Sequence, residues 1–393
     1  MANANQAAPA PRAAPYTLTL LMLGNIFIGA GVLAPAAMMN TLTADLAVTP
    51  TQVGALIGWG AVVLCIGAPT LAFATTRIDR RTVLVWSLIV YGLGHAASIA
   101  AANYDQLLFI RLAMIAAAAV YTPQAASAVT LMIGEDKRAG AVAFVFLGWS
   151  IAGAAVVPLM TIASDAFGWR AVYLALALGC ALAAAGVAAR TPGGLMTPPL
   201  SVSAWRDVLA RPPILVLLAT TALQVAGQFV LFPYLAAELR RTQNAAESDV
   251  AITLALYGAA GLAGAAASSR LVARMGAART HVASLATMAL GLAGWAALAY
   301  MPGFATAAVF VWGLGFAAAV SMQQARLIAV APGLASASVA LNTSVLYLGQ
   351  AVGAAIGAAF IDARAPDALG VAGCAFMLAA LAASAWTARA FRA

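Results

Sequence analysis

The sequence predicts an all-α membrane protein of twelve transmembrane helices in two six-helix pseudo-repeats, and three observations carry that prediction. Hydrophobic residues make up 64% of the chain and charged residues 8%, against roughly 45–50% and 25% in soluble domains. A soluble exterior cannot be wetted by so few polar groups, whereas lipid hydrocarbon solvates apolar surface directly. Apolar stretches of about 20 residues, the length that crosses a bilayer, recur along the chain. Lys and Arg gather on alternate connections, as the positive-inside rule demands of an even number of spans.

The spans fall between charged or turn-forming clusters. The first six are expected near 17–39, 51–75, 83–101, 107–133, 140–163 and 170–189. They are separated in turn by Asp45, by Arg77, Arg80 and Arg81, by Asp105, by Lys137 and Arg138, and by Asp165 with Arg170. A polar stretch from Arg190 to Arg211, holding Pro192, Pro198, Pro199, Ser201 and Ser203, divides the chain. The last six are expected near 212–238, 251–268, 280–300, 304–328, 336–361 and 369–388. The remaining connections are short, as packed antiparallel neighbours require. Residues 1–15 read as a disordered cytoplasmic tail, 16–189 and 212–388 as the two bundles, 190–211 as a cytoplasmic linker, and 389–393 as a second cytoplasmic tail.

With the N-terminus in the cytoplasm, the inner segments hold fourteen basic residues and the outer ones four: Arg170, Arg240, Arg241 and Arg364. Arg111 and Arg326 fall within spans. The net charge of +8 therefore serves topology; no dense basic run with interleaved aromatics points to nucleic acid. Cys65, Cys180 and Cys374 are scattered through apolar segments, with neither a disulfide framework nor metal spacing. No cofactor is expected. The halves share a faint repeat at an offset near 200 residues, with Phe146-Leu147-Gly148-Trp149-Ser150 matching Tyr347-Leu348-Gly349-Gln350, and Gln124-Ala125 matching Gln324-Ala325. Parallel repeats around a central passage are a transporter architecture.

Several motifs carry a family resemblance. Ala72-Phe73-Ala74-Thr75-Thr76-Arg77-Ile78-Asp79-Arg80-Arg81 is similar to the G-x-L-A-D-R-x-G-R-R loop of the major facilitator superfamily. Arg77, Arg80 and Arg81 fit, while Ala72, Thr76 and Asp79 depart from it. Leu107-Leu108-Phe109-Ile110-Arg111 resembles the family's L-x-x-x-R motif. Gly148, Gly153, Val157-Pro158 and Gly168-Trp169-Arg170 partly match its antiporter motif. Within the superfamily the chain resembles the twelve-helix drug:proton antiporters, in the branch of arabinose efflux permeases. The resemblance implies a major facilitator fold, a gating loop at Arg77, Asp79, Arg80 and Arg81, and a role for Arg111 in coupling. The competing reading of the loop is that its arginines only enforce topology, and of Arg111 that it snorkels to the interface. An intramembrane Arg costs at least about 2.5–3.5 kcal/mol on insertion scales and marks function by default.

The chief departure is a missing carboxylate. All twelve Asp and Glu residues lie in loops or near span ends, and span 1 reads Asn25-Ile26-Phe27-Ile28-Gly29-Ala30-Gly31 where relatives commonly hold an acid. Three readings stay open. Glu238 or Asp362 lies deeper than its position implies; His95 carries the proton, its ordinary pKa near 6.5 suiting the task; or transport is not proton-coupled, with Arg111 and Arg326 favouring an anionic or neutral polar solute. Asn25, Tyr121, Gln124, Gln224, Gln228, Gln323, Gln324, Asn342, Tyr347 and Gln350 complete the candidate pocket, since polar groups in hydrocarbon must face each other or water. The alternative for each is plain helix-to-helix hydrogen bonding.

The expected function is secondary transport of a small organic solute, outward and driven by protons, by a monomer in the bacterial inner membrane with both termini cytoplasmic. An uncoupled facilitator or anion exchanger is the runner-up, and a non-transporting receptor or scaffold the remote one. An enzyme is not expected, since His95 and His281 stand on different helices without acids beside them.

Overall fold

A computed structural model describes residues 16–196, 202–331 and 334–390. The proposed tail 1–15 with Arg12, the linker residues Pro198, Pro199 and Ser201, and Arg392 lie outside the described residues. Helices α1 (Thr17–Ala37), α2 (Met39–Leu46), α3 (Pro50–Ala74), α4 (Arg80–Ile99), α5 (Tyr104–Met132), α6 (Glu135–Ile151), α7 (Val157–Phe167) and α8 (Trp169–Arg190) form the first half. A short α9 (Val202–Leu209) leads to α10 (Pro212–Leu231), α11 (Leu235–Gln243), α12 (Glu247–Leu298), α13 (Phe304–Val330), α14 (Ala335–Asp362) and α15 (Ala368–Ala390).

Helix α12 runs for 52 residues, about 78 Å at 1.5 Å per residue, more than twice the hydrocarbon thickness of about 30 Å. It is two spans. Gly276 has φ 79° and ψ 165°, a conformation that strains any residue with a Cβ, and the chain reverses there in one residue. Gly168, at φ 80° and ψ 158°, makes the same one-residue turn between α7 and α8. With α12 split, the described residues contain the twelve expected spans, those of 140–163 and 212–238 each being built from more than one helical piece.

Proline explains those pieces. Pro158 has no N–H for the carbonyl of Ala154, and the helix widens over Ala152–Val156 into a π turn, with Val157 N–H reaching back to Ala152 O. Pro233 similarly denies a donor to Phe229, and the chain tightens into a 3₁₀ turn over Phe232–Tyr234. Each half keeps one end at the face bearing Tyr16 and Ala390, here the termini face. The other end is the far face, which carries α2 and α11. The lipid-facing exterior is apolar, with Trp59, Phe73, Trp86, Leu93, Phe109, Leu182, Leu290 and Trp386 all exposed.

The repeat is physical. A Cβ on Gly148 would fall 2.4 Å from Met22 O and 2.9 Å from Asn25 Cβ, while one on Gly349 would fall 2.6 Å from Ala222 O and 3.0 Å from Val225 Cβ. The two matched glycines thus seat the fifth span of each half on the first span of the same half, at residues again about 200 apart. Small residues are what permit such backbone approach in membranes, where burial alone supplies no force between helices.

On the far face, α2 is tied to α8. Asp45 accepts from Arg170 Nη1 at 2.6 Å and Trp169 Nε1 at 2.7 Å, and these bonds, Arg170 first, hold its carboxyl below the usual range. A depressed carboxylate adds stability above its unfolded pKa, about 3.9, and loses it as pH falls through the folded value. The pair is half-exposed, so its worth is about 0.2–1 kcal/mol. Thermal melts of Asp45→Asn are expected to fall slightly below wild type at pH 7 and to converge with it once the pH has fallen through the lowered Asp45 pKa; persistence of the difference at low pH would contradict this assignment.

Candidate functional site

The polar residues inside the spans form two buried clusters, one in each half, with hydrogen bonds closing the seam between halves at the far face. In the first half, Arg111 is buried on α5. It donates from Nε to Leu56 O at 2.7 Å, from Nη1 to Gly31 O at 3.1 Å and from Nη2 to Val32 O at 2.8 Å. The sequence of α1 accounts for one of these bonds: Pro35, four residues on from Gly31, has no N–H, so Gly31 O lacks its helical donor and the guanidinium supplies one. Snorkelling is thereby set aside, because the side chain turns inward onto α1 and α3.

His95 also packs on Gly31, where an added Cβ would fall 2.5 Å from its Nε2. Its ring is fully buried, edge-on to Tyr91 at 4.5 Å and stacked on Tyr173 at 5.5 Å. Neither ring nitrogen has a hydrogen-bond partner among the described residues. Nearer the termini face, Asn25 donates to Val145 O at 3.0 Å and accepts from Thr122 Oγ1 at 2.7 Å, which in turn accepts from Trp149 Nε1 at 3.1 Å. Tyr121 donates to Leu21 O at 3.2 Å. Gln124 reaches Thr75 Oγ1 at 3.5 Å, close to the loop of the arginine motif.

The second half centres on Arg326, joined from Nη1 to His281 Nδ1 at 3.0 Å, Gln323 Oε1 at 3.2 Å and Ser384 Oγ at 2.9 Å, and from Nη2 to Thr387. His281 Nε2 meets Gln224 Oε1 at 2.9 Å. His281 Nδ1 also meets Ser384 Oγ at 2.7 Å; a guanidinium and a hydroxyl can both donate to it, and an accepting Nδ1 is assigned on that ground, which puts the ring proton of a neutral His281 on Nε2 toward Gln224. Gln323 donates to Leu217 O, and Thr221 to Asn342 Oδ1 at 2.7 Å. Gln228 and Gln350 are buried, Tyr347 nearly so, and Gln324 is half-exposed. Sequence reasoning placed Arg326 and Gln224 but gave His281 no role; its signal was present, as a His on the span after Arg274 in a chain with only two.

The loop of Arg77, Asp79, Arg80 and Arg81 is held to the residues that follow α8. Asp79 caps α4 through Arg81 N at 2.8 Å and accepts from the backbone of Gly194 and from Leu195 N at 3.2 Å. Arg81 donates to Ala188 O, and buried Arg80 to Thr75 O and Thr76 O at 3.0 Å each. Arg77 is exposed. Asp79 therefore anchors the loop through backbone amides.

Glu238 and Asp362 lie at the far face. Glu238 is buried against Arg241, with Nε to Oε2 at 3.0 Å. Asp362 accepts from Thr51 at 2.7 Å, and Glu247, buried beside Arg240, accepts from Asn40 Nδ2 at 2.9 Å. Thr51 and Asn40 belong to the first half, Asp362 and Glu247 to the second, so these two bonds cross the seam. Beneath them the π turn of the fifth span meets α12: a Cβ on Gly258 would fall 2.1 Å from Ala154 Cα. Tyr234 packs over Gly54 and donates to Ala354 O at 2.8 Å.

Two six-span bundles, each with buried polar groups and bonded together at one face, have the architecture of a multi-pass membrane transporter. The family comparison agrees: residues 19–354 match the model of the Major Facilitator Superfamily, and the chain belongs to that family. It is 28% identical over 353 residues to the chloramphenicol resistance protein of Streptomyces lividans, covering 88% of each chain. It is also 28% identical over 354 residues to the inner membrane transport protein YdhP of Escherichia coli K12, covering 88% of this chain and 89% of that one. Among solved structures, a D-xylose-proton symporter superposes with TM-score 0.75 at 16% identity, covering 93% and 95% of the two chains; that likeness concerns the fold.

Proposed function

We propose that this chain exports a small organic solute from the cytoplasm by alternating access, as a proton antiporter in the inner membrane, with the termini face cytoplasmic. The observation that carries the reading is the far-face seal, where Asn40–Glu247 and Thr51–Asp362 bridge the halves. A carrier sealed there presents its solute path to the other side, and rocking about the seam exchanges the two. Fourteen basic residues on the termini side against four on the other support the orientation. The relative named for chloramphenicol resistance supports export and makes chloramphenicol the first solute to test. Arg111 and His95, both against α1 at Gly31, are the coupling residues in this reading, with His95 as the proton carrier. Asn25, Tyr121, Gln124, Gln224, Gln228, Gln324, Asn342 and Gln350 supply polar contacts along the path. Residues 16–189 and 212–388 move as the two rocking units of a monomer.

Flux in proteoliposomes with and without an imposed pH gradient tests the coupling. Gradient-driven accumulation that is lost in Arg111→Ala is the expected result; gradient-independent flux would remove antiport. The second reading, an uncoupled or anion-exchanging carrier, draws on Arg111 and Arg326 being buried with no acid hydrogen-bonded to either among the described residues. Reporter fusions at the two ends test the orientation, both being expected to report cytoplasm.

The seal makes its own prediction. In a background with Cys65, Cys180 and Cys374 replaced by Ala, a cysteine at Ala36, buried beneath the far face, is expected to react several-fold faster with an external maleimide when Glu247→Ala and Asp362→Ala are combined. Unchanged labelling would show that these bonds do not hold the seam.

A further inference from the structure

We propose that the second half contains a subsite for the aromatic ring of an uncharged solute, built from Phe232, Tyr257 and Trp312 with Gln228 beside them. The proposal rests on the transport reading above and names the substrate class. Six buried polar atoms in this half have no hydrogen-bond partner among the described residues; Ser338 Oγ and Ser344 Oγ lie on α14, and the other four, Gln224 Nε2, Gln228 Oε1, Tyr257 Oη and Trp312 Nε1, lie on the seventh, eighth and tenth spans. Leaving such a group unpaired is costly, and hydrocarbon offers no water to relieve it. Gln224, Gln228 and Phe232 recur at four-residue steps and so share one face of the seventh span.

Around Phe232 the rings close up. Phe232 and Tyr257 are 5.2 Å apart, Tyr257 and Trp312 5.2 Å and edge-to-face at 65°, and Phe232 and Trp312 6.1 Å at 86°. Phe229 extends the group, 5.6 Å from Phe232. The cluster joins three spans and sits directly behind the seam, since Gly258, next to Tyr257, is the residue in backbone contact with the first half. The 3₁₀ turn that carries Phe232 also packs on α1 and α3 of that half. Rocking of the halves uncovers this surface.

Its chemistry selects a class of solute. Ring faces and edges accommodate an aromatic body in offset or T-shaped contact. The phenol and the indole are two donors awaiting acceptor oxygens, and Gln228 Oε1 is an acceptor awaiting a hydroxyl or amide proton. No ionised side chain belongs to the cluster, and Glu247 is ten residues from Tyr257 along α12, about 15 Å. An uncharged aromatic compound bearing nitro or carbonyl oxygens meets these demands; a sugar, having no aromatic ring, does not.

The test is equilibrium binding of 4-nitrobenzyl alcohol to the purified full chain in nanodiscs, measured apart from transport. Wild type is expected to bind saturably, with affinity reduced at least fivefold in Tyr257→Phe and in Trp312→Phe, and D-arabinose is expected not to displace the probe. Tyr257→Phe deletes only an unpartnered hydroxyl, so its melting temperature is expected to equal or exceed that of wild type, whereas loss of a structural hydrogen bond would lower it. Absence of saturable wild-type binding, unchanged affinity in both variants, or displacement by equimolar D-arabinose would overturn the subsite. Flux of any solute by the same preparation would leave the transport reading standing in each of those cases.

Discussion

Arg111→Ala is expected to reduce solute flux at least a hundredfold while the chain still inserts and folds. Among the described residues the guanidinium is the single group that bonds α5 to carbonyls of both α1 and α3, and one of those carbonyls, Gly31 O, has no helical donor because of Pro35. Lys is not a substitute, since one ammonium on a flexible stem cannot span three carbonyls on two helices; Arg111→Lys is expected to lose at least tenfold. A double-mutant cycle separates structure from function. Restoring the missing N–H with Pro35→Ala in the Arg111→Ala background is expected to recover melting temperature, because Gly31 O regains a partner whose absence costs about 1–3 kcal/mol. Flux is not expected to return. If Pro35→Ala restored flux, Arg111 would be a helix staple and its coupling role would be withdrawn.

Gly258→Leu is the second large effect. At this position the helix of the second half lies against the backbone of the first: an added Cβ meets Ala154 Cα at 2.1 Å, Ala154 N at 2.5 Å and Gly153 O at 2.7 Å. Backbone atoms cannot rotate away as a side-chain tip does, so the two halves must separate. Flux is expected to fall more than tenfold, and a cysteine at Ala36 to become accessible from outside, because the far-face seal no longer forms. Gly261→Ala is the control on the same helix; its added Cβ finds only Gly313 O at 3.7 Å, ordinary contact, and near-normal flux is expected. Equal loss in both variants would point to general damage to α12 and not to the seam.

How much of this was legible beforehand differs by kind. Span number and the pairing of Gly148 with Gly349 were legible, because bilayer thickness and hydrocarbon impose a length and composition that show in any window of the chain. Arg111 was legible as a costly charge at an apolar position. Its partners were not, since backbone carbonyls on two other spans leave no mark in composition. The break in α12 was half-legible: the cluster Arg270, Arg274 and Arg279 announced a connection, but that Gly276 alone makes the turn depends on its φ and ψ. His281 went unassigned because a neutral His among apolar residues looks like packing until Arg326 is seen against its Nδ1.

The carboxylates show the boundary most clearly. Their absence from the middle of the spans was readable from position alone, and among the described residues it holds in the structure. That Glu247 and Asp362 bridge opposite halves was not readable, because Asn40 and Thr51 stand 207 and 311 residues away in the chain. The sequence by itself determined that this protein threads a membrane twelve times in two related halves, since solvation of each segment is a local property of its own side chains. Only the tertiary structure decided which polar groups meet, which glycines carry the seam and which face is closed, since those depend on distances between segments that chain order does not encode.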